Sequence, residues 1–485
     1  MRKIIKTINN NYILKIIYLY SFIIILISSI AVSKYHGDGS IFVIFSIVFN
    51  ILLLNGIRKK ANFFDFYIGV FLWMGFWLKV TVRILFFDTK FSESTGAFNY
   101  SAESFDRALI VSIVGATALI VASLIRERIT TKFIKKKVEK IGYKQETLYK
   151  KYKNYILIIF VIFFILIAFI NINMGIYQKG EITKTILPFG INGVFKWLIL
   201  FGFSSFSALI LKMEIDDNKK IPIIIMTIII LESFFSNISL LSRGMILNIG
   251  ALAIGTLFII KKNSLLKINI KSLMISSIIF YLLFLTSVLI VNDIRGNGSG
   301  YARIYVGDIF NKNQEMNERG NDLEHATPLL LNRWVGIEGV LSVSSSNRLG
   351  WALWREAWSE KYSENTMGFY DSNLIDSPYK NTDFTKKHHL SLPGIVAFLF
   401  YPGSIIFLFL CMMFLGLLAS LIEVYVYIVG RNNLILCSLI SMVVAYRFAS
   451  FGYAPAQSYL LFGTIIINII IFRFINDILS IKIKN

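Results

Sequence analysis

Cysteine, histidine and acidic residues are scarce in this chain of 485 residues, and long polar stretches scarcer still. The two cysteines, Cys411 and Cys437, lie inside apolar runs, so neither a disulfide framework nor a CxxC metal pair is available. Of four histidines, His388 and His389 are adjacent and point different ways, and no Cys, Asp or Glu stands beside them at helical ligand spacing. No metal site is expected. No repeat of 20–50 residues is visible, which excludes a solenoid. The glycine-rich Gly296-Asn297-Gly298-Ser299-Gly300 lacks the GK[ST] ending of a phosphate loop. Alternating ten-residue segments, the mark of a membrane β-barrel, are missing too.

Apolar residues make up 55% of the chain and the mean hydropathy is +0.65. Apolar runs of roughly 18 residues or more recur along its length, each long enough to cross a bilayer as a helix. The expected fold is an all-α polytopic membrane protein. About twelve transmembrane helices are expected, over 12–32, 41–57, 65–86, 107–125, 154–172, 192–212, 221–241, 245–260, 272–292, 404–429, 434–449 and 456–474. Three regions follow: helices one to nine within 1–292, a long loop over 293–391, and a half-helix with three last spans over 392–485. No small-residue cleavage site follows the first apolar run, so it reads as an uncleaved span.

Lysine and arginine total 50 against 29 acids, a net charge of +21. No basic domain stands apart from the spans, so this is a topology signal and not a nucleic-acid footprint. Arg2, Lys3, Lys6 and Lys15, then Arg58, Lys59 and Lys60, the strongly basic 126–153, Lys261 to Lys271, and Lys482 and Lys484 all fall on one side if the spans are counted as above. The alternate connections 33–40, 87–106, 173–191 and 293–391 are close to neutral or mildly acidic. Both termini are therefore expected in the cytoplasm and the long loop outside. Segment 126–153 reads as a positive-inside clamp on anionic lipid, with docking of a cytoplasmic partner as the alternative.

Several cations run against this rule. Lys79 and Arg83 share a face of span three. Lys196 starts span six, Arg243 sits at the tight outer turn Ser242-Arg243-Gly244, and Arg447 closes span eleven. Each could snorkel to the interface. Charge inside a span costs about 2.5–3.5 kcal/mol on insertion scales and usually marks a pathway or a site, so Arg243 and Arg447 are candidates for a common anion site. Glu232 is the deepest acid, a partner for one of these cations or a proton relay.

The loop carries Asp293-Ile294-Arg295-Gly296, then Asn332-Arg333-Trp334-Val335-Gly336-Ile337-Glu338. A helix is expected over 346–360, with Ser346 or Asn347 as N-cap. It would align Trp351, Trp354 and Trp358, with Arg348 and Arg355 beside them. That pattern suits an outer-leaflet helix and equally arginines on a lipid phosphate. His388 and His389 are candidates for acid–base work. From Leu392 to Val429 a single helix would measure roughly 57 Å against a hydrocarbon core of about 30 Å. It must break, and Pro402-Gly403 is the natural place, leaving a re-entrant or interfacial half-helix.

The Ser242-Arg243-Gly244 turn, the Arg-Trp-x-Gly of Arg333 to Gly336 in a long outer loop, and the paired Pro-Gly steps from Pro393 to Gly403 resemble Wzy-type O-antigen and capsule polymerases. The resemblance implies a GT-C-like membrane glycosyltransferase in the bacterial cytoplasmic membrane, needing neither metal nor cofactor. It would move a glycan from undecaprenyl pyrophosphate to another lipid-linked repeat unit, with a chain-length regulator as a further partner. Diphosphate would then be held by Arg243, Arg295, Arg333 and Arg447, then Arg348 and Arg355. Glu338, His388 and His389 are candidate bases for the acceptor hydroxyl, with Asp293 behind them. An O-antigen ligase, which differs in acceptor, and a lipid-linked oligosaccharide flippase are the alternatives.

Overall fold

The computed structural model describes residues 2–58, 62–91, 93–134, 147–218, 221–242, 244–262, 270–296 and 333–481. Among them the fold is helical throughout, with no strand beyond one isolated bridge between Glu181 and Lys387. A helix covers each of the twelve apolar windows. In chain order these are α1 (Arg2–Lys34), α2 (Gly39–Ile57), α3 (Phe63–Phe86), α4 (Ala102–Ile134), α5 (Leu148–Met174), α6 (Pro188–Asp217), α7 (Ile223–Ser239), α8 (Met245–Lys262) and α9 (Ile270–Gly296). Short helices follow: α10 (Ile337–Ser344), α11 (Trp351–Trp358), α12 (Phe369–Asn373) and α13 (Ile395–Leu399). Then come α14 (Ile405–Val429), α15 (Leu434–Ala449) and α16 (Tyr459–Leu479).

Eight helices are long and apolar enough to span a membrane, and four shorter apolar stretches lie in α1, α7, α8 and α15. The chain is thus a membrane-embedded helical protein. The lipid-like surface is plain on α9, where Leu273, Met274, Ile278, Leu282 and Leu285 are exposed. In water such a face would be a liability; in hydrocarbon it is the solvated side.

Helix ends are set locally. Asp38 caps α2 by accepting from the Ser40 amide, Ser404 caps α14 through Phe407, and Asn433 caps α15 through Ile435 and Leu436. A left-handed Gly175 (φ 57°) ends α5. The first amides of α3 are taken by the half-buried Glu423 carboxylate of α14, at 3.1 Å from Phe63 and 3.0 Å from Phe64. Two helices contain π-helical turns, Trp73–Leu78 in α3 and Leu198–Gly202 in α6. Such turns are frequent at functional sites.

The helix break expected at Pro402-Gly403 is present. The short α13 ends at Leu399, the chain turns, and α14 begins at Ile405. Every residue from Ile395 to Tyr401 is buried. The expected helix over 346–360 is shorter than its pattern suggests. Ser346 bonds back to Val343, and the Gly350 amide donates to the Tyr401 carbonyl, which pulls the backbone out of helical register until Trp351. The tryptophan stripe does align: Trp354 and Trp358 pack on Phe398 of α13, and Trp351 and Trp354 pack edge-on against Phe407 of α14.

The connections sort to two ends. At one end, 175–190, 240–242, 333–403 and 450–458 touch: Lys179 bonds Leu240, His388 bonds Gly180, and Gly394 bonds Phe451. At the other lie Arg58 with Glu127, Arg126 with Asp65, Lys153 with Glu214, and Arg431 with Asp477. The central post is α15. It packs on α3, α6, α8 and α14, and most of its residues are buried.

Candidate functional site

The segment Arg333 to Glu338 is docked on α3 by small, specific contacts. Trp334 stacks on Phe71, with ring centroids 5.7 Å apart. Gly336 lies against Gly75 in the π-helical turn so closely that a Cβ on Gly336 would fall 2.0 Å from the Gly75 carbonyl oxygen. Lys79, fully buried, donates to the Trp334 carbonyl (2.6 Å) and to Glu338 (2.9 Å). With Trp334, Gly336 and Glu338 all engaged on α3, the Arg333 side chain is directed elsewhere. It makes no hydrogen bond or ion pair among the described residues and lines a cavity of about 1320 Å³.

That cavity also receives Arg447 from the end of α15, His388 and His389 from the loop before α13, Lys179 from the α5–α6 connection and Lys196 from α6. Arg447 donates to the Tyr453 carbonyl and the Ser458 hydroxyl, both at 3.2 Å, and lies over the Phe451 ring. Glu181 and Glu364 are the carboxylates on the wall, so four permanent cations face two acids. The lining is divided. The connections bring polar and aromatic groups, among them Tyr177, Tyr362, Tyr379 and Tyr453, while the spans bring chiefly apolar ones such as Met74, Leu78, Leu247, Phe284 and Leu461.

Glu364 is held firmly. One oxygen accepts from the Thr183 amide (2.8 Å), the other from the Thr183 hydroxyl (2.9 Å) and the Tyr362 hydroxyl (2.7 Å). Burial pushes its pKa up, but these donors outweigh it and hold the carboxyl below its usual value. His388 sits between the Tyr362 and Tyr453 rings, and its Nδ1 faces the Glu364 backbone carbonyl at 3.1 Å. A carbonyl only accepts, so Nδ1 carries the proton and Nε2 keeps its lone pair. Burial pushes this imidazole below its ordinary value, against the opposing pull of Glu364. His389 stacks on Tyr379, with ring centroids 5.4 Å apart.

Five residues singled out in the sequence, Lys196, Arg333, Arg447, His388 and His389, thus line one cavity. Others do not. Glu338 is buried in its pair with Lys79 and lies off the cavity. Arg348 is exposed and pairs with Glu356 (2.9 Å) and Asn373, and Arg355 is exposed on α11; neither lines the cavity. Asp293 is exposed near the end of α9. Arg243 and the side chain of Arg295 lie outside the described residues, although Ser242 and Gly244 are both on the wall. The glycines at 298 and 300 and most of basic segment 126–153 also lie outside them. Lys79 and Arg83, read as snorkelling candidates, are buried. Among the described residues Glu232 meets serine hydroxyls and no cation: Ser236 at 3.1 Å and Ser204 at 3.3 Å.

Lys179, Tyr177, Tyr362 and Glu364 escaped the sequence reading. The only hint was a lysine, Lys179, in a connection expected to be neutral or acidic; nothing in the spacing links Thr183 to Glu364, which the fold alone brings together. No protein-family model, no curated protein and no solved structure matches this chain.

Proposed function

We propose that this chain is a GT-C-like membrane glycosyltransferase that polymerises lipid-linked glycan repeat units, as Wzy-type polymerases do. In this reading twelve helices cross the bacterial cytoplasmic membrane, both termini are cytoplasmic, and the cavity opens on the outer face. The observation that carries it is the single cavity shared by Arg333, Arg447, Lys179, Lys196 and His388. Its two-part lining suits an amphipathic ligand, with a polyprenyl chain against the apolar span residues, a diphosphate among the cations and sugars against the tyrosines.

The chemistry then follows from the groups present. The acceptor hydroxyl oxygen attacks the anomeric carbon of the donor glycan. The bond from that carbon to the diphosphate oxygen breaks, and its electron pair leaves with the polyprenyl diphosphate. Arginine and lysine stabilise the charge that develops there. The hydroxyl proton passes to Nε2 of His388, which the Glu364 carbonyl holds in the right tautomer. Glu338, committed to Lys79, takes no part in proton transfer.

The test is reconstitution with undecaprenyl-diphosphate-linked repeat units alone. A polymerase builds a ladder of lengths; a ligase, which needs a different acceptor, does not. Arg333→Ala and Arg447→Ala should each lower ladder formation about 100- to 1000-fold, the usual loss for one donor to a developing anion. Full ladders from both variants would remove the diphosphate site. A phosphatase reporter placed after residue 300 and found in the cytosol would remove the orientation.

A further inference from the structure

Lys196 is the cation that neither the resemblance nor the arginine pattern assigns. It sits on the last turn before the π-helical stretch of α6, at a position that reads in sequence as an interfacial lysine. The structure turns it onto the cavity wall. Its ammonium lies 4.6 Å from the centroid of the Tyr177 ring and 5.9 Å from that of Tyr362. None of its three N–H donors meets a hydrogen-bond acceptor or an ion-pair partner among the described residues. Arg447 on the same wall is already tied down by Tyr453 and Ser458, and Lys79 deeper in α3 by Glu338 and Trp334. Lys196 is not.

Three neighbours explain why it stays unpaired. Glu364 is the nearby carboxylate, but Thr183 and Tyr362 occupy it with three hydrogen bonds. The aromatic faces of Tyr177 and Tyr362 attract the charge without using the donors. Lys179 and Arg447 are close enough to repel it electrostatically. Three cations gathered around one carboxylate that already accepts three hydrogen bonds form a charge excess, and an anion relieves it. A compact ammonium on a flexible stem suits a phosphoryl group that moves, whereas planar guanidinium grips in a fixed fork.

Resting on the polymerase reading, we infer that Lys196 is the donor-diphosphate anchor that distinguishes a diphosphate from a monophosphate. It contacts the phosphoryl group farther from the lipid, the one bonded to the sugar, and follows it as the sugar–oxygen bond breaks. Arg447 and Lys179 flank it. Tyr177 and Tyr362 keep the ammonium oriented when the site is empty.

The experiment uses the full-length protein in detergent with farnesyl diphosphate, farnesyl monophosphate and farnesol as probes, read by thermal shift and titration. Wild type should bind the diphosphate at least tenfold more tightly than the monophosphate and be unmoved by farnesol. Lys196→Gln should bring the two phosphates within about twofold of each other, and Lys196→Arg should restore part of the preference. Lys196→Met serves as a second neutral variant should Lys196→Gln fail to fold. A neutral variant that keeps the wild-type preference overturns the role of Lys196 and leaves the polymerase reading standing. Wild type that binds neither phosphate overturns both. A loss caused only by misfolding would abolish ladder formation without a selective loss of diphosphate preference, and Lys196→Arg would not rescue it; that outcome also overturns the role.

Discussion

Replacing Lys79 by methionine tests how the Arg333 segment is held. The Lys79 side chain is wholly buried and Glu338 nearly so, 2.9 Å apart, with the second oxygen of Glu338 already without a hydrogen-bond partner. Lys79→Met removes the only compensating charge of that pair. Breaking a buried ion pair from one side costs about 3–5 kcal/mol, whereas exchanging both partners for apolar residues of similar volume is close to neutral. The double variant Lys79→Met/Glu338→Leu should therefore recover most of the stability. It would retain a deficit of about 1–3 kcal/mol from the Trp334 carbonyl, which loses its donor. Chemical denaturation in micelles measures both, and the two singles with the double form a complete cycle. Ladder assays on the same proteins add the functional half. Stability should return in the double variant while polymer formation does not, because Arg333 is no longer steered by its neighbour's carbonyl. Lys79→Met within about 1 kcal/mol of wild type, the range of an exposed pair, would refute the clamp. A double variant with full activity would refute the steering.

The remaining expectations are narrower. Gly336→Ala puts a methyl group 2.0 Å from the Gly75 carbonyl, so loop and helix must part; about 1–3 kcal/mol of stability and most of the ladder activity should go, and unchanged activity would show that this contact is incidental. As the base of the proposed transfer, His388 would work only when unprotonated, and burial lowers its value from 6.5, so turnover should fall with acid through a midpoint below 6.5; a midpoint above 7 would exclude it. His388→Ala should abolish that acid limb, and an unaltered pH profile would assign the base elsewhere.

The membrane fold was legible because hydrophobic length is a strong signal and each apolar window carries its own helix. The break at Pro402-Gly403 was legible for the same reason: one helix of that length does not fit a bilayer. The site was legible only in part. Arginine at the end of a span stands out by its cost, so Arg447 was visible, and Arg333 was visible through the Arg-Trp-x-Gly pattern of the loop. Their meeting was not, since it depends on Gly336 docking on Gly75 and on α15 lying beside α3. Glu338 looked like a free acid because nothing in the sequence joins it to Lys79. The start of α11 was misplaced because a long-range bond from Gly350 to Tyr401 overrides local capping preference.

The position of α15 bears on biosynthesis. It stands between helices made much earlier, α3 and α8, and the ribosome delivers it long after both. The nascent protein must hold a slot open at its centre until α15 arrives. A translation product stopped before Asn433 would have an unfilled middle, with Glu423 of α14 and the first turn of α3 already joined around nothing. Quality-control proteases of the membrane should therefore clear such fragments far faster than chains lacking only α16.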